Sequence, residues 1–240
     1  MGRKQATPSA RKGGTRYPTA SRDGQPAGDA SSLSDVAYAH LEELIVTLEI
    51  PPGTAVSETT LSRRLGIGRT PIREALQRLA RERLVQILPR RGIVVSRIDV
   101  PAQLRLLEVR RELERLVARS AAQHSGADER AEFFQLASAF QLAAAAADEM
   151  AFMRTDRAFN ELCLVAARNE FAAGAMSLMH ALSRRFWFVH YRQAADMPLA
   201  AKLHAAVASA IAQGNPEAAA KASDALLDYI EAFTRTTEAP

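Results

Sequence analysis

The sequence has a single cysteine and no apolar run long enough to cross a membrane. Because Cys163 is alone, an intramolecular disulfide framework is excluded. A membrane-spanning helix needs about 18 consecutive apolar residues, and no stretch approaches that length. The N-terminus also lacks the apolar core of a secretory signal. These absences predict a protein of the reducing cytoplasm that has no membrane partner.

The motifs of several enzyme classes are missing as well. The sequence contains no H-E-x-x-H, no G-x-S-x-G and no glycine-rich loop of the kind that cradles phosphate. Cys163 fits the description of a small core residue better than that of a nucleophile. We therefore expect a protein that is not an enzyme.

What the chain does have is enough apolar material for a core and an uneven charge. Its 240 residues are 48% hydrophobic, which is typical of a globular protein of one or two domains. The net charge is +4, but residues 1–98 hold 16 of the 31 Lys and Arg residues and only nine of the 27 Asp and Glu residues. A polyanion is therefore expected to bind the first hundred residues.

The pattern divides the chain into three segments, of which residues 1–33 form the first. This segment is rich in Gly, Pro, Ser, Thr and basic residues and has almost nothing to bury, so we expect a disordered basic tail. A solvated tail is the simpler interpretation, and an arm that contacts DNA is the alternative. The second segment covers residues 34–98 and the third covers residues 99–240.

The second segment predicts three helices followed by a β-hairpin. The first helix has apolar residues at helical spacing, with Ser34 or Asp35 as its N-cap, and it stops at the turn "PPG". Ser57 is expected to cap a second, short helix that ends at Gly66.

The third helix is expected to open with Thr70 as N-cap and Pro71 in the first helical position, and to run to about Arg83. After it, "VQIL" and "IVVS" flank the basic tip "PRRG" and predict two short strands.

A short helix, a tight turn, a helix with arginines at its start and a basic hairpin are typical of a winged helix-turn-helix. Arg69 and Arg73 are the expected base readers, because a guanidinium group matches guanine through two hydrogen bonds. A solvated charged helix face would explain any one arginine, but it does not explain arginines at both the helix start and the hairpin tip. The residues expected to contact double-stranded DNA are Arg63, Arg64, Arg69, Thr70, Arg73, Arg91 and Gly92.

The third segment predicts only helices. No alternating Val/Ile/Thr-rich run competes with the helical pattern. The six periodic stretches cover roughly 100–123, 128–147, 149–167, 169–193, 196–213 and 215–236. The expected fold class is therefore mainly α, a small winged helix-turn-helix domain followed by an all-helical antiparallel bundle of about six helices.

Both folded segments resemble a known family. The run from "VAYAHLEELIVTLEIPPGTAVSETTLSRRLGIGRTPIREALQRLARERLV" to "ILPRRGIVVS" resembles the GntR family of bacterial transcription regulators, with departures at Gly68 and Arg83. The bundle resembles the FCD domain of the FadR subfamily, through "LEVRRELERLVARSAA", "FMRTDRAFNELCLVAARNEF" and "LHAAVASAIAQGNPEAAAKA". In that family the FCD domain binds an effector and forms the dimer.

The central motif of the bundle places Asp156 and Asn160 one turn apart on an otherwise apolar helix face. The resemblance implies a divalent metal, since many FCD domains hold zinc or a similar ion with one Asp and three His. Here the corresponding set is Asp156, Asn160 and His204, with Leu226 at the place of the last histidine. Such a set is weak, because imidazoles provide most of the affinity for a transition metal. A core hydrogen-bond network or a direct ligand contact is the alternative.

Arginines are the other candidates for binding an effector. Arg110, together with Arg154 or the pair Arg184/Arg185, could clamp a carboxylate. Arg110 with Glu114 is also an ordinary pair on a helix surface. The residues expected to bind the effector are Arg110, Arg154, Asp156, Asn160, Arg184 and His204.

These patterns predict a metabolite-responsive transcription regulator. It is expected to bind a palindromic operator as a homodimer, to act as a repressor as most relatives do, and to respond to a small organic acid. The alternatives are a helical metal- or ligand-binding protein without a regulatory role and a purely structural scaffold. The structural scaffold leaves the basic N-terminal part of the chain without a purpose.

Overall fold

The computed structural model describes residues 32–89, 92–194 and 196–237, with the backbone alone at 192–194. The predicted tail therefore falls almost entirely outside the described residues, as does Arg91. Within the described ranges, no helix is long and apolar enough to cross a membrane.

The second segment folds as a winged helix-turn-helix, which confirms the prediction. Its three strands form an antiparallel sheet in the order β1-β3-β2, in which Val85 of β2 lies opposite Val95 of β3. The elements are α1 (Leu33–Val46), β1 (Ala55–Val56), α2 (Glu58–Leu65), α3 (Arg69–Arg81), β2 (Val85–Leu88) and β3 (Gly92–Val95).

Local sequence signals explain the helix-turn-helix. The Ser57 hydroxyl accepts a hydrogen bond from the amide of Thr60 and caps α2. Gly66 ends α2 with φ +66°, a left-handed conformation that glycine adopts without strain. The buried faces of α1 and α3 then meet in one core that includes Leu41, Ile45, Ile72, Leu76 and Leu79.

Two predicted helix starts are wrong. The N-cap of α1 is Ser32, whose hydroxyl accepts from the amide of Asp35, so neither Ser34 nor Asp35 is the cap. Helix α3 begins at Arg69 after Gly68, which places Thr70 inside the first turn. The carbonyl of Gly68 accepts the first helical hydrogen bond, and no side chain caps this end. Strand β1 was not predicted, because two residues carry no periodicity.

The third segment is a helical bundle, as predicted. Its central core combines small alanines with the rings of Phe133, Phe140, Phe152 and Phe159, which pack edge to face. The helices are α4 (Val100–His124), α5 (Ala127–Ala145), α6 (Glu149–Ala166), α7 (Glu170–Ala194), α8 (Met197–Ala212) and α9 (Pro216–Thr236).

Helix α7 joins the bundle to the winged domain. Ala181 of α7 and Met153 of α6 are buried in the same apolar cluster as α1 and α3. Arg185 is buried, and its guanidinium donates to the backbone carbonyls of Ser96 at 3.0 Å and Arg97 at 3.4 Å, in the connection between the two domains. Burial lowers the pKa of Arg185 to about 10. The bundle therefore holds the winged domain through both apolar and polar contacts.

The capping geometry of α1 can be tested by substitution. Ser32→Ala removes the hydroxyl that accepts from the amide of Asp35, and should lower the free energy of unfolding by about 1 kcal/mol. Ser34→Ala is the matched control, since Ser34 is inside the helix. The measurement is urea unfolding followed by circular dichroism. Equal losses in the two variants would mean that α1 does not begin as described.

Candidate functional site

The first candidate surface lies at the start of α3. Arg69 and Arg73 are one turn apart, with 62% and 55% of their side chains exposed, while Ile72 beside them is fully buried. Helical geometry thus directs the arginines outward while the same turn anchors α3 in the core. This is the arrangement predicted for the two base readers.

Both arginines contact Glu58 of α2. The Nε and Nη2 atoms of Arg73 donate to the two carboxylate oxygens at 2.7 and 2.9 Å, and Nη2 of Arg69 lies 3.4 Å away. The hydrogen bonds from Arg73 lower the pKa of Glu58, and the same contact raises the pKa of Arg73. Glu58 therefore fixes the side chain of Arg73 and occupies two of its donors.

Sequence analysis missed Glu58. It belongs to a different helix from the arginines and lies 15 residues before Arg73, so no spacing rule connects them. The only local signal was an acidic residue directly after the N-cap of α2, which is also common at helix starts.

The other predicted DNA contacts are distributed more widely. Thr70 and Arg63 are exposed, and Arg64 is exposed but pairs with Glu49 at 3.0 Å. Gly92 is exposed and opens β3 with φ +82°. The structure therefore brings Arg69, Thr70 and Arg73 together on one helix end.

The second candidate site is a cavity of about 50 Å³ among α4, α6, α7, α8 and α9, on the side of the bundle that faces the winged domain. We call it the bundle cavity. Aromatic and aliphatic side chains form much of its wall. Its polar lining consists of Gln103, Arg110, Asp156, Asn160, His180, Ser183, Arg184 and His204.

Five of the six residues predicted to bind an effector line this cavity, and Arg154 does not. Arg154 lies on the exposed face of α6, because a position two residues before Asp156 points about 200° away from it around the helix. Arg110, in contrast, is buried and does not form the helix-surface pair that was the alternative for it. It is only 6% exposed and pairs at the cavity wall with Glu114, 2.5 Å from Nε.

Asp156, Asn160 and His204 form a hydrogen-bonded group. The Asn160 amide donates to Oδ1 of Asp156 at 3.1 Å, and Nε2 of His204 lies 3.3 Å from the same oxygen. Nδ1 of His204 lies 2.8 Å from the carbonyl of Ala200, which can only accept, so Nδ1 carries a proton.

This donor set does not fit a transition-metal site. Across the described residues, no three His, Cys, Asp or Glu side chains are close enough to share an ion. The position of the missing histidine is Leu226, which is apolar and buried. The Asn160 nitrogen donates to Asp156 in place of a metal ligand. The three side chains contact one another in a hydrogen-bond network, which is one of the two alternatives to a metal that the sequence left open.

His180 is a cavity residue that sequence analysis left without a role. Burial lowers its pKa, and the positive charge of Arg110 contributes, so the imidazole is neutral at pH 7. No motif marks it. The only available signal was its spacing of three and four residues from Ser183 and Arg184, which puts all three on one face of α7.

Two residues that line the cavity have donors that make no hydrogen bond in the described structure. Within the described part of the chain, the Ser183 hydroxyl and the Nε of Arg184 are buried without a hydrogen-bond partner. Buried polar groups of this kind are rare in native proteins, and a bound ligand is one way to satisfy them. A ligand with oxygen acceptors matches these donors and the nearby positive charge.

Comparison with known proteins matches both domains. The family model of the FCD domain matches residues 105–229, and that of the bacterial regulatory proteins of the gntR family matches residues 33–95. The HTH-type transcriptional repressor RspR of Escherichia coli is 40% identical over 85 residues, which are 35% of this chain and 37% of that protein. The probable D-xylose utilization operon transcriptional repressor of Paenarthrobacter nicotinovorans is 27% identical over 192 residues, 78% of this chain and 81% of that protein.

A solved structure, E. coli McbR/YncC, has the same fold, with a TM-score of 0.75 at 17% identity over 87% of this chain and 100% of that one. Several sequence matches to individual proteins cover only about a third of this chain. Three curated relatives are matched over only 28%, 47% and 37% of their own length.

The different positions of Asp156 and Arg154 predict different effects on stability. Asp156→Ala should lower the free energy of unfolding by about 1–3 kcal/mol, since it removes the partner of the half-buried Asn160 amide and of the buried His204 ring. Arg154→Ala removes an exposed side chain from the same helix and should cost less than about 0.5 kcal/mol. Urea unfolding of both variants checks this, and similar losses would argue against the buried network.

Proposed function

Because the chain belongs to the GntR family of bacterial regulatory proteins and carries the FCD domain of the FadR-type architecture, we propose that it is a transcription regulator that binds DNA and a small effector. The resemblance recognised in the sequence is thus confirmed. A family of regulators also agrees with the expectation that the chain is not an enzyme.

The observation that carries the DNA-binding proposal is the pair Arg69 and Arg73. A helix whose opposite face is buried against α1 presents both guanidinium groups to the outside at its N-terminal end. A recognition helix enters the major groove in this orientation. Thr70 lies in the first turn of the same helix, whereas Arg63 and Arg64 of α2 and Gly92 of β3 lie in flanking elements. These residues would contact phosphates or the neighbouring groove.

We also propose the mode of regulation. Two copies would pair through their bundles and place their recognition helices in two half-sites of a palindrome, about one helical turn apart. Repression is the proposed outcome. It is supported by the names of two relatives, the repressor RspR and the probable repressor of the D-xylose utilization operon.

The proposed effector is a small organic acid that occupies the bundle cavity without a metal. Arg110 and Arg184 supply positive charge, Asn160, Ser183 and His204 supply polar atoms, and aromatic rings exclude water. Metal-independent binding follows from the donor set of Asp156, Asn160 and His204, which is too poor in imidazoles for a transition metal. The cavity volume of about 50 Å³ favours an acid of few atoms.

The recognition-helix assignment predicts the effect of Arg73→Ala. Loss of one bidentate contact with guanine should cost roughly 1–3 kcal/mol of operator discrimination, while the fold remains intact. Arg81→Ala is the matched control, because Arg81 is exposed at the other end of the same helix. The measurement is fluorescence anisotropy at fixed salt, with an operator selected from random DNA. If Arg73→Ala bound as tightly as the parent, Arg73 would not be a base reader.

The effector proposal predicts stabilisation by carboxylates. A ligand that binds only the folded chain raises its melting temperature, and adds about 2.7 kcal/mol at a hundredfold excess over Kd. Acetate, lactate, malonate and succinate should be screened by thermal unfolding, with a chelator and separately with zinc. We expect a hit that persists under the chelator. Stabilisation that requires zinc would contradict metal-independent binding.

A further inference from the structure

Arg184 contacts both the bundle cavity and the winged domain. Its side chain lines the bundle cavity, and its Nη2 atom pairs with Oε1 of Glu42, which lies on α1 of the winged domain. Within the described part of the chain, Arg184 is the polar cavity residue that forms an ion pair with the winged domain. Any ligand that changes the surroundings of Arg184 therefore changes a contact between the two domains.

Glu42 depends on the bundle for its positive partners. The residue is 3% exposed, and its second partner is Arg157 of α6, whose Nη1 lies 3.2 Å from Oε2. Arg157 is itself shared with Glu161 at 2.9 Å. A buried carboxylate that loses one of two cations is strongly disfavoured unless water or another cation reaches it. Glu42 thus favours the docked arrangement of the winged domain only while Arg184 is available to it.

Arg184, which lines the cavity, also has an unused donor. Its Nε is buried without a partner in the described structure, and so is the hydroxyl of Ser183, its neighbour on α7. A carboxylate that accepts from both would bring a second negative charge to a guanidinium already paired with Glu42. Two carboxylates on one cation repel each other, and this repulsion is poorly screened in a buried site.

We propose that an anionic ligand in the bundle cavity competes with Glu42 for Arg184 and so weakens the docking of the winged domain on the bundle. This inference rests on the proposed acid effector and adds the residue through which it acts. Ligand binding and domain docking each weaken the other by the same factor, as thermodynamic linkage requires.

The release of Glu42 would reach the DNA-binding surface because α1 and α3 are joined. Tyr38 of α1 donates from its hydroxyl to Glu82 at the end of α3, at 2.8 Å. Arg78 of α3 lies 3.6 Å from the centre of the Tyr38 ring and pairs with Glu82. The two helices would therefore move together, and the placement of the recognition helix would change with the docking of α1.

The test compares Glu42→Gln with Glu43→Gln, which removes the same charge from an exposed neighbour on the same helix. Binding of malonate and succinate to the full chain is measured by isothermal titration calorimetry. Without the competing carboxylate, Glu42→Gln should bind the better probe about tenfold more tightly than the parent, within the range of roughly 5–150-fold typical of allosteric coupling. Glu43→Gln should bind like the parent.

The outcomes separate this inference from the proposed function. If a probe binds the parent and Glu42→Gln binds it no more tightly than Glu43→Gln does, the competition is wrong and the acid effector stands. If no probe binds any of the three proteins, the acid effector is wrong and the competition is overturned with it.

A second measurement does not depend on how well the variant folds. Hydrogen–deuterium exchange of the parent is followed with and without saturating probe. Amides of α1 around Glu42 should exchange faster with the probe bound, while those of α7 around Arg184 exchange more slowly. Unchanged exchange in α1 would overturn the proposal.

Discussion

The arrangement of the two domains depends on one buried carboxylate. Glu42 lies in an apolar interface where an isolated charge would be strongly unfavourable, and both cations that neutralise it, Arg157 and Arg184, come from the bundle. The winged domain therefore carries a charge that it cannot satisfy alone. This makes its position on the bundle specific in a way that apolar packing by Met153 and Ala181 would not. The same dependence makes the position sensitive to anything that binds Arg184.

Helix α7 serves both domains because neighbouring positions on a helix point about 100° apart. Arg184 faces the bundle cavity and α1, whereas Arg185 faces the connection at Ser96 and Arg97. His180 and Ser183 share the cavity face with Arg184, and Ala181 is buried against the winged domain. One helix thus forms a wall of the cavity, an interface between domains and an anchor for the connecting segment.

The helical content could be predicted from sequence, since it is encoded in residues that are close together along the chain. The apolar period, the Ser57 cap and the Gly66 stop act within a few positions, and the helices of both domains follow from them. Local signals place a helix start wrongly where two nearby residues could both be the N-cap, as with Ser32 and Ser34.

In the candidate sites, Asp156, Asn160 and His204 could be found by resemblance. Glu42 and Glu58 could not, because their partners are remote in sequence and each looks like an ordinary helix acid. Arg154 was placed in the effector site by its residue type, but residue type alone does not show which face of a helix a residue occupies, and Arg154 lies outside the cavity.

The contact between Glu58 and Arg73 has a consequence for a protein that must search a genome. Most DNA that such a protein meets is the wrong sequence, and non-specific sites outnumber the target by about a millionfold or more. An arginine already held by a carboxylate gains little from a loose encounter, because it must give up two short hydrogen bonds to make one weak contact. Only a base edge with two acceptors in the same fork geometry replaces what is lost. If Arg73 reads a base, as we propose, Glu58 would compete with its non-specific contacts and shorten the time spent at the wrong sites.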